Sequence, residues 1–387
     1  MIDSCFPLRL RELRKMRVRS VLMLAMDTRV QYRTLRCAAR CAESVYVLGA
    51  PAAHPLSSSM MCREFFPAPE GFMDDVAVTA ERINQICRER DIEWVVPSDF
   101  PSTRFLAIAG DLLERCCYPV SAAEALDVLN HKGRFAALCR QLGVPHPRTE
   151  VLSGHGAVPR FVSESAHLLP FVCKPASMDG GKGVWLFTRP EEVSLLNRIS
   201  FTPIIVQSYV EGMELSAFFL CRAGAIVGSV IYRQNDREVC FVAHDAIVNH
   251  ALRIIRHFRY DGVIGFDICM GRDGRPYFIE CNPRFWYHMD VAMLAGVNFV
   301  QHGIAAEKQM PSVAAGRTLC KARAGIAALG RPWRLRADDL RVIVYLAKDP
   351  AYLLRSAIRK WKGFRWTRQG SLLPPASNAL NEAAEAR

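Results

Sequence analysis

The chain has 387 residues, of which 50% are hydrophobic and 23% charged, and its formal net charge is +12. The length allows two or three domains, and the composition excludes a largely disordered or collagen-like protein. No apolar run reaches the roughly 18 residues of a membrane span, and Val21–Met26 is too short for the apolar part of a signal peptide. The fourteen cysteines include no CxxC pair, so we expect free thiols in a reducing cytoplasm.

Basic residues are concentrated near the two ends of the sequence. They are Arg9, Arg11, Arg14, Lys15, Arg17 and Arg19 at one end, and Arg355, Arg359, Lys360, Lys362, Arg365 and Arg368 at the other. Such charge can attract nucleic acid, anionic lipid or acidic ligands. No basic strand with interleaved aromatic residues and no recognition motif accompanies it, so we expect no nucleic-acid partner and prefer a solvated helix face.

The first part of the sequence alternates strand and helix patterns. Strands are predicted at Arg19–Met26, Ser44–Leu48 and Ile92–Val96, and helices at Tyr32–Ala42 and Ala77–Arg90. Such alternation is typical of a parallel sheet. The turn after the first strand lacks the GxGxxG fingerprint of dinucleotide-binding domains, so nucleotide binding is not expected there.

Beyond residue 120 the pattern changes. Two helices are predicted at Ala122–Leu129 and Gly133–Leu142, on either side of Asn130-His131-Lys132. Short apolar runs then predict strands at Phe171–Lys174, Gly183–Phe187, Ile204–Tyr209, Leu215–Cys221 and Ala225–Tyr232. A helix at Ala246–Phe258 precedes a hairpin, and the Ala/Arg/Leu-rich sequence beyond Pro311 is predicted to be helical.

A glycine-rich stretch, CKPASMDGGKGVWLF from Cys173 to Phe187, lies between two of these strands. Lys182 is followed by Gly183 rather than Ser or Thr, so the P-loop pattern GxxxxGK[ST] is absent. The glycine pair at 180–181 would let backbone N–H groups close over an anion, and Lys174 would point a cation at the same volume. A flap over phosphate and a plain glycine hairpin with two surface lysines fit this segment about equally well.

The stretch GFDICMGRDGRPYFIECNPR predicts a hairpin with a two-residue turn at Asp273-Gly274. In that register Asp267 faces Glu280 with Cβ atoms roughly 5 Å apart, and the two carboxylates repel unless a cation lies between them. Asn282 shares the face of Glu280, so three oxygen donors predict a Mg²⁺ site. A four-residue loop would instead set Phe278 opposite Asp267, and a solvated acidic strand face is the alternative interpretation.

Together these segments resemble the ATP-grasp enzymes, in the carbamoyl-phosphate-synthase-like group of carboxylate–amine ligases. The resemblance covers about residues 20–310. Five motifs occur in order: NHKGRFAALCRQLGVPHP with Lys132, VCKP with Lys174, SMDGGKG, VQSYVEGMELS, and IGFDIC followed by YFIECNPRFW. Each motif alone is weakly specific, and the five in order at this spacing make the resemblance specific.

The resemblance implies an α/β fold, in the α+β arrangement of ATP-grasp proteins. A parallel α/β pre-ATP-grasp domain is expected at residues 1–115. A two-lobed ATP-grasp domain would follow at 116–310, with its flap-bearing lobe at about 147–210, and a basic helical extension at 311–387.

The resemblance also implies a role for each matching residue. The catalytic residues would be Arg284, which steadies the transferred phosphoryl group, and Lys182. Mg²⁺, or Mn²⁺ in its place, would be bound by Asp267, Glu280 and Asn282. ATP would be bound by Lys132, Lys174, Ser177, Gly180, Gly181, Lys182, Gly183, Gln207, Tyr209, Val210 and Glu214. In this set Lys132 and Lys174 would contact the phosphates, and Lys174 would also contact the adenine side. Ser177 and residues 180–183 would form the flap. Residues 207, 209 and 210 would form the adenine hinge, and Glu214 would bind the ribose.

The implied function is an ATP-dependent ligase that joins a small carboxylate to a small amine through an acyl phosphate. A phosphotransferase on the same fold and a nucleotide-binding protein without turnover are the alternatives. Gln207 stands where such enzymes usually carry Glu, which affects one adenine contact. Tyr287-His288 stand where small residues are common, so the acid, the amine and any contact from these two residues stay open, as does homo-oligomer formation.

A basic amphipathic helix is predicted at 351–366. Leu354, Ile358 and Trp361 share one face, which Tyr352, Ala357 and Phe364 broaden, and basic residues occupy most of the remainder. We expect the apolar face to dock on the protein core. Weak contact with an anionic membrane and binding to an acidic partner are the alternatives.

Overall fold

The computed structural model describes residues 17–154, 169–177, 183–305, 310–328 and 336–367. Within these ranges the side chains at 194, 197, 322–323 and 360–367 are not described. The basic run before residue 17 and the flap residues 178–182 therefore lie outside the described residues, and so do the predictions made for them.

The chain divides into two compact units. Unit 1 comprises Met1–Leu126, Ser216–Gly265 and Asn282–Ile358, and unit 2 comprises Asp127–Leu215, Phe266–Cys281 and Arg359–Arg387. The predicted boundaries near residues 115 and 310 stay predictions.

A five-stranded parallel sheet forms the first part of unit 1, as the alternating pattern predicted. Its strands are β1 (Val18–Ala25), β2 (Ala42–Gly49), β3 (Glu64–Pro67), β4 (Trp94–Val96) and β5 (Cys116–Cys117). Their order is β3-β2-β1-β4-β5, and every neighbouring pair is parallel. The last six residues of β1 are all buried, because a central strand of a parallel sheet is covered on both faces.

Three helices accompany this sheet in sequence. They are α1 (Gln31–Cys41), α2 (Val76–Arg90) and α3 (Phe100–Ala109). Asp99 caps α3: its side chain accepts from the Ser102 N–H, and the Ser102 hydroxyl is hydrogen-bonded in return. Asp99 also accepts from the Met26 N–H at 2.9 Å and from Gln31 Nε2 at 2.7 Å, so it fixes the turn after β1.

Unit 2 contains a four-stranded sheet and two short helices. The helices are α4 (Ala123–Asn130), whose second half belongs to unit 2, and α5 (Lys132–Gln141). The strands are β6 (Thr149–Leu152), β7 (Phe171–Pro175), β8 (Trp185–Phe187) and β9 (Ile204–Ser208), in the order β6-β9-β7-β8 with antiparallel pairs. Phe171 and Phe187 stack at 5.1 Å within its apolar core.

A six-stranded sheet has the order β14-β13-β10-β11-β12-β15. Its strands are β10 (Gly212–Arg222), β11 (Ala225–Gln234), β12 (Glu238–Val242), β13 (Gly262–Gly271), β14 (Pro276–Asn282) and β15 (Thr318–Cys320). Helix α6 (Asp245–His257) precedes β13. Strand β15 lies in the region predicted to be wholly helical, and that prediction was wrong for these three residues because they pair with β12.

The turn between β13 and β14 also differs from the prediction. The Gly271 N–H donates to Arg275 O at 2.9 Å, and the Gly274 N–H donates to Gly271 O at 2.9 Å. Gly274 has a φ of 74°, a left-handed conformation that favours glycine. The loop therefore has three residues rather than two, and Asp273 stabilises it by accepting from the Arg275 N–H at 3.1 Å.

Helices complete unit 1 toward the C-terminus. They are α7 (Met289–Leu294), α8 (Phe299–Ala305), α9 (Ala322–Ala328), α10 (Ala337–Ala347) and α11 (Pro350–Thr367), the last of which extends past the boundary of unit 1. Tyr345, Leu346 and Tyr352 belong to the same apolar core as β1 and α1. Tyr352 stacks on Tyr32 with ring centroids 3.7 Å apart.

A buried polar group, which we call the Arg36 cluster, links α1 to this C-terminal part. It consists of Tyr32, Arg36, Tyr345 and Asp349. Arg36 donates to Tyr32 OH at 2.8 Å and to Tyr345 O, and its guanidinium carbon lies 3.5 Å from the centre of the Tyr345 ring. Tyr32 OH donates to Asp349 Oδ2 at 3.1 Å, and Asp349 is fully buried.

The docking prediction for α11 is wrong for two of its three face residues. Leu354 is 66% exposed and Ile358 is 46% exposed, whereas Tyr352 is buried. Successive helical residues are about 100° apart, so Tyr352 points about 200° away from Leu354 and belongs to the opposite face. The side chain of Trp361 lies outside the described residues.

Two further findings concern membranes and thiols. In the part of the chain that the structure describes, no helix combines the length and apolar character needed to cross a bilayer. The thirteen cysteines in that part are free, and most are buried.

Candidate nucleotide and metal site

Lys132 is the first residue of α5. The His131 side chain caps this helix by accepting from the Arg134 N–H, and the Lys132 N–H donates to Ala176 O at 3.1 Å, just beyond β7. The Lys132 side chain is 9% exposed, and its Nζ lies 3.2 Å from Glu280 Oε2. A buried lysine is thus paired with one of the predicted metal ligands.

Lys174 lies in β7 and is also buried. Its Nζ donates to Gln207 Oε1 at 2.8 Å, and Gln207 Nε2 donates to Thr149 Oγ1 at 3.0 Å. In the sheet, Gln207 pairs with Val172 on one side and with Thr149 on the other, so Lys174 is its diagonal neighbour. These contacts fix the direction of the Lys174 ammonium group.

The pKa of Lys174 is lowered to about 8. The main cause is burial, which disfavours the charged form, and the nearby charge of Lys132 acts in the same direction. Glu280 and Asp267 oppose the shift. Gln207 accepts a hydrogen bond without adding negative charge, so the ammonium group of Lys174 is not neutralised by its direct partner.

The two predicted metal-binding carboxylates meet, despite the longer turn. The side chains of Asp267 in β13 and Glu280 in β14 are hydrogen-bonded to each other. Burial opposes ionisation of Glu280, but the charges of Lys132 and Lys174 and the hydrogen bonds from Asp267 and Lys132 hold its pKa below the usual value. We call these four residues, all in unit 2, the lysine–carboxylate cluster.

Asn282 and Arg284 belong to unit 1. Asn282 is buried, and its Oδ1 accepts from Arg284 Nη2 at 3.0 Å. Arg284 Nη1 donates to Phe285 O at 3.0 Å. Arg284 also lines a small solvent-open pocket, together with Pro97, Thr103, Tyr118, Pro119, Val120, Tyr260, Asp261, Val263 and Phe285.

The donor atoms near the carboxylates fit a hard cation. Carboxylate and amide oxygens are preferred by Mg²⁺, which usually takes one or two protein carboxylates and completes its shell with water and phosphate oxygens. Among the described residues, no three His, Cys, Asp or Glu side chains come together. Two carboxylates are thus what this part of unit 2 offers, a number that suits a nucleotide-bound Mg²⁺.

The remaining predicted ATP contacts are placed as follows. Ser177, Tyr209 and Glu214 are exposed, and Gly183 has a φ of 72° at the end of the flap. The Tyr209 N–H donates to Pro170 O at 3.0 Å, and Val210 O accepts from Cys269 Sγ at 3.3 Å. Gly180, Gly181 and Lys182 lie outside the described residues.

Two contacts were missed in the sequence. Gln207 was assigned only to the adenine hinge, whereas its side chain holds Lys174. Strand alternation and the β7–β9 register would have indicated this contact, but the register cannot be read from sequence. Thr149, 58 positions before Gln207, accepts a hydrogen bond from its side chain, and no sequence motif pointed to this contact.

Comparisons with known proteins agree with this arrangement. Residues 200–325 match the family model described as ATP-grasp in the biosynthetic pathway with Ter operon. The carbamoyl phosphate synthase large chain of Rubrobacter xylanophilus is 30% identical over 143 residues, which are 35% of this chain and 13% of that protein. The chain therefore spans only a small part of this curated relative.

Solved structures are similar over most of the chain. The carboxyaminoimidazole ribonucleotide synthase of Aspergillus clavatus, complexed with ATP, has a TM-score of 0.62 at 16% identity and covers 81% of this chain and 87% of its own. The L-amino acid ligase of Bacillus licheniformis has a TM-score of 0.56 at 16% identity, with 78% and 79% covered. The protein thus has the fold of these ATP-grasp structures, and its segment 200–325 is similar to the ATP-grasp family model.

Proposed function

We propose that this chain is an ATP-dependent ligase that joins a carboxylate to an amine with formation of ADP. The observation that supports the proposal most is the lysine–carboxylate cluster, in which two buried lysines and two carboxylates meet within one unit. The similarity to structures of an amino acid ligase and of an ATP complex supports the same class of reaction.

The cluster suggests how the binding of nucleotide and metal would rearrange the ion pairs of its residues. Without ligands, Lys132 offsets the charge of Glu280 at 3.2 Å. Asp267 and Glu280, with Asn282 as the third ligand predicted from the sequence, would hold Mg²⁺, which would supply positive charge against the phosphates. Glu280 would then no longer need Lys132, whose ammonium group, together with that of Lys174, could pair with phosphate oxygens instead.

Other residues would complete the nucleotide site. Ser177 and residues 180–183 would form the flap over the phosphates, with Lys182 adding charge during transfer. Gln207, Tyr209 and Val210 would border adenine, and Glu214 would bind ribose hydroxyls. Arg284 is positioned by Asn282, and it would steady the transferred phosphoryl group.

The reaction would proceed in two steps. A carboxylate oxygen of the acid forms a bond to the γ-phosphorus, while the bond to the β–γ bridging oxygen breaks and ADP leaves. The amine nitrogen then forms a bond to the acyl carbon, the carbon–oxygen bond to phosphate breaks, and the amine loses a proton. Exclusion of water by the flap would protect the acyl phosphate from hydrolysis.

A substrate screen with the full chain tests the proposal. Phosphate release from ATP with Mg²⁺ is measured with amino acids and small acids, singly and in pairs, and products are identified by mass spectrometry. We expect phosphate release that needs both an acid and an amine, with an amide of the combined mass. A phosphorylated acid without amide would indicate a phosphotransferase, and nucleotide binding without phosphate release would indicate a non-catalytic protein.

A further inference from the structure

A second group of charged side chains lies in unit 1 and has no role in the proposed nucleotide site. We call it the Tyr287 cluster, and it consists of Arg29, Arg33, Tyr287, His288 and Lys321. Arg29 follows β1, Arg33 lies in α1, Tyr287 and His288 precede α7, and Lys321 follows β15. Two separate parts of the chain thus bring cations to an aromatic pair that belongs to a third part.

The Tyr287 ring is exposed and contacts two guanidinium groups. The guanidinium carbon of Arg29 lies 5.3 Å from the ring centre, and that of Arg33 lies 5.0 Å from it. Arg33 Nη2 donates to Tyr287 OH at 3.3 Å. Cation–π contact favours this arrangement, but the two guanidinium charges repel each other.

Negative charge in the cluster offsets only part of the positive charge. Asp290 is buried and lies 2.8 Å from Arg33 Nη1, so it compensates Arg33. Within the described part of the chain, no carboxylate lies within 4 Å of the charged group of Arg29 or Lys321, although Asp236 influences Lys321 at longer range. Among the described residues, Arg29 and Lys321 thus each lack a close counter-ion.

His288 adds no positive charge at neutral pH. Burial lowers its pKa to about 4, with Lys321, Arg33 and Arg29 acting in the same direction and Asp290 opposing them. Its ring packs edge-on against Tyr232 and Tyr287. A neutral imidazole held between aromatic rings can accept or donate a hydrogen bond next to the cations.

A buried donor in the cluster also lacks a protein partner. Arg33 Nε is inaccessible and makes no hydrogen bond within the described residues. Leaving such a donor without a partner costs roughly 1–3 kcal/mol, so a partner supplied by a bound molecule or by water would be stabilising. This unpaired donor is a feature of the cluster separate from its excess charge.

The cluster is close in sequence to Arg284. Three residues separate Arg284 from His288, so their Cα atoms are at most about 14 Å apart. This upper limit, together with the length of an arginine side chain, allows one small molecule to contact both Arg284 and the Tyr287 cluster. Pro97, Pro119 and Val120 line the pocket next to Arg284, so apolar surface lies beside this residue.

We propose that the Tyr287 cluster binds a second anionic group of the acid substrate, distant from the carboxylate that is activated. This inference rests on the proposed ligase function, because that function makes the bound acid a substrate. Anion binding itself does not require turnover. The acid would be a short dianion, whose second group is a carboxylate or a phosphate. Arg29 and Lys321 would pair with that group, and Tyr287 OH or His288 would add a hydrogen bond.

Titration calorimetry tests the proposal with three acids of equal backbone length. Succinate carries a second carboxylate, 3-phosphonopropionate carries a phosphonate there, and butyrate carries no second charge. Each is titrated into the full chain with Mg²⁺ and a non-hydrolysable ATP analogue, so that the γ-phosphate position is already filled. We expect at least one dianion to bind about tenfold or more tightly than butyrate, and the stronger of the two identifies the second group.

Variants assign that binding to the cluster. The double variant Arg29→Ala, Lys321→Ala should lose the preference for the dianion. Arg40→Ala removes one exposed arginine from the same helix α1 and should leave the preference unchanged. Neither Arg29 nor Lys321 has a close ion pair, so we expect native circular dichroism. If the double variant is unstable, Arg29→Gln alone should still weaken dianion binding several-fold.

Two results would overturn the proposal. One is equal binding of butyrate and both dianions by the native chain, and the other is an unchanged preference in the double variant. Neither result would affect the ligase proposal, which is tested by product formation. The converse outcome is also distinguishable. If dianion binding depends on the cluster but the chain shows no ligase turnover, the ligase function is refuted and the anion site stands.

Discussion

The lysine–carboxylate cluster and the Arg36 cluster use the same kinds of side chain for different ends. Both bury basic groups next to acids. In the first, the Glu280 side chain is 26% exposed and that of its partner Lys132 is 9% exposed. In the second, Asp349 is fully buried and accepts from Tyr32, Ser59 and the Met60 N–H, so no acceptor position faces solvent.

The difference lies in access from solvent. All four members of the Arg36 cluster are buried, and Arg36 contacts protein groups, Tyr345 O and the Tyr345 ring, so the cluster can only stabilise the fold. The lysine–carboxylate cluster is held together by attraction between its lysines and carboxylates. A cation could take the place of the lysines next to the carboxylates, and phosphates could take the place of the carboxylates next to the lysines. Burial of ionic groups therefore does not by itself indicate a functional site; access for a replacement partner does.

Breaking the Arg36 cluster should have the largest effect on stability. Asp349→Ala leaves Arg36 as a buried charge and removes an acceptor from three donors. We expect the free energy of unfolding to fall by about 3 kcal/mol or more, measured by urea denaturation. Asp338→Ala removes a partly exposed carboxylate from the nearby helix α10 and should cost well under half as much. Equal losses in the two variants would contradict the structural role.

Breaking the lysine–carboxylate cluster should instead affect turnover. Glu280→Gln keeps the shape but removes a charge that the metal needs, so we expect phosphate release to fall by about a hundredfold or more. Its melting temperature should stay close to the native value. Glu211→Gln, an exposed carboxylate in the same unit, is the matched control and should retain activity. Near-native turnover in Glu280→Gln would refute the metal assignment.

The pH dependence of nucleotide binding sharpens the comparison further. The pKa of Lys174 is lowered to about 8, so its ammonium group loses its proton as pH rises through that value, and ATP affinity should weaken. Gln207→Glu places a carboxylate at 2.8 Å from the ammonium group and should shift this loss to higher pH. Gln207→Met, which adds no charge, should not produce that upward shift. Affinity measured between pH 6.5 and 10 tests this, and identical profiles for the Glu and Met variants would be the contrary outcome.

The smallest effect on stability is expected from removal of the chain beyond the Arg36 cluster. Removal of residues 354–387 leaves Asp349 and Tyr352 in place and deletes a helical face on which Leu354 and Ile358 are exposed. The melting temperature should change by no more than about 2 °C. Removal of residues 349–387 is the comparison, and it should lower the melting temperature clearly. A large drop for the shorter deletion would restore the docking prediction.

Strong local patterns allowed much of the fold to be predicted. The strand β1 and the helix α1 were located within one or two residues, because long apolar runs and helical periodicity need no tertiary context. Helix α3 was not predicted. Asp99 with Ser102 and a proline in the first turn are in fact the signals of a helix start.

The candidate site was predictable where it depended on motifs. The meeting of Lys132, Lys174, Asp267 and Glu280 followed from the family resemblance and the hairpin pattern, although the turn length was wrong. The Arg36 and Tyr287 clusters were not predictable, because their members come from chain segments hundreds of residues apart. Contacts of that kind leave no periodicity or spacing in the sequence, and the roles of the site residues stay predictions.

The bond from Tyr32 to Asp349 has a consequence for synthesis of the chain. The two residues are 317 positions apart. At about 5–20 residues per second, a ribosome needs roughly 16–63 s to make the second after the first. During that time α1 can form, but its polar contacts with the C-terminal part cannot. In the nascent N-terminal region Arg36 and Tyr32 therefore stay without their C-terminal partners during this time. Binding of a chaperone would have its largest effect in this period.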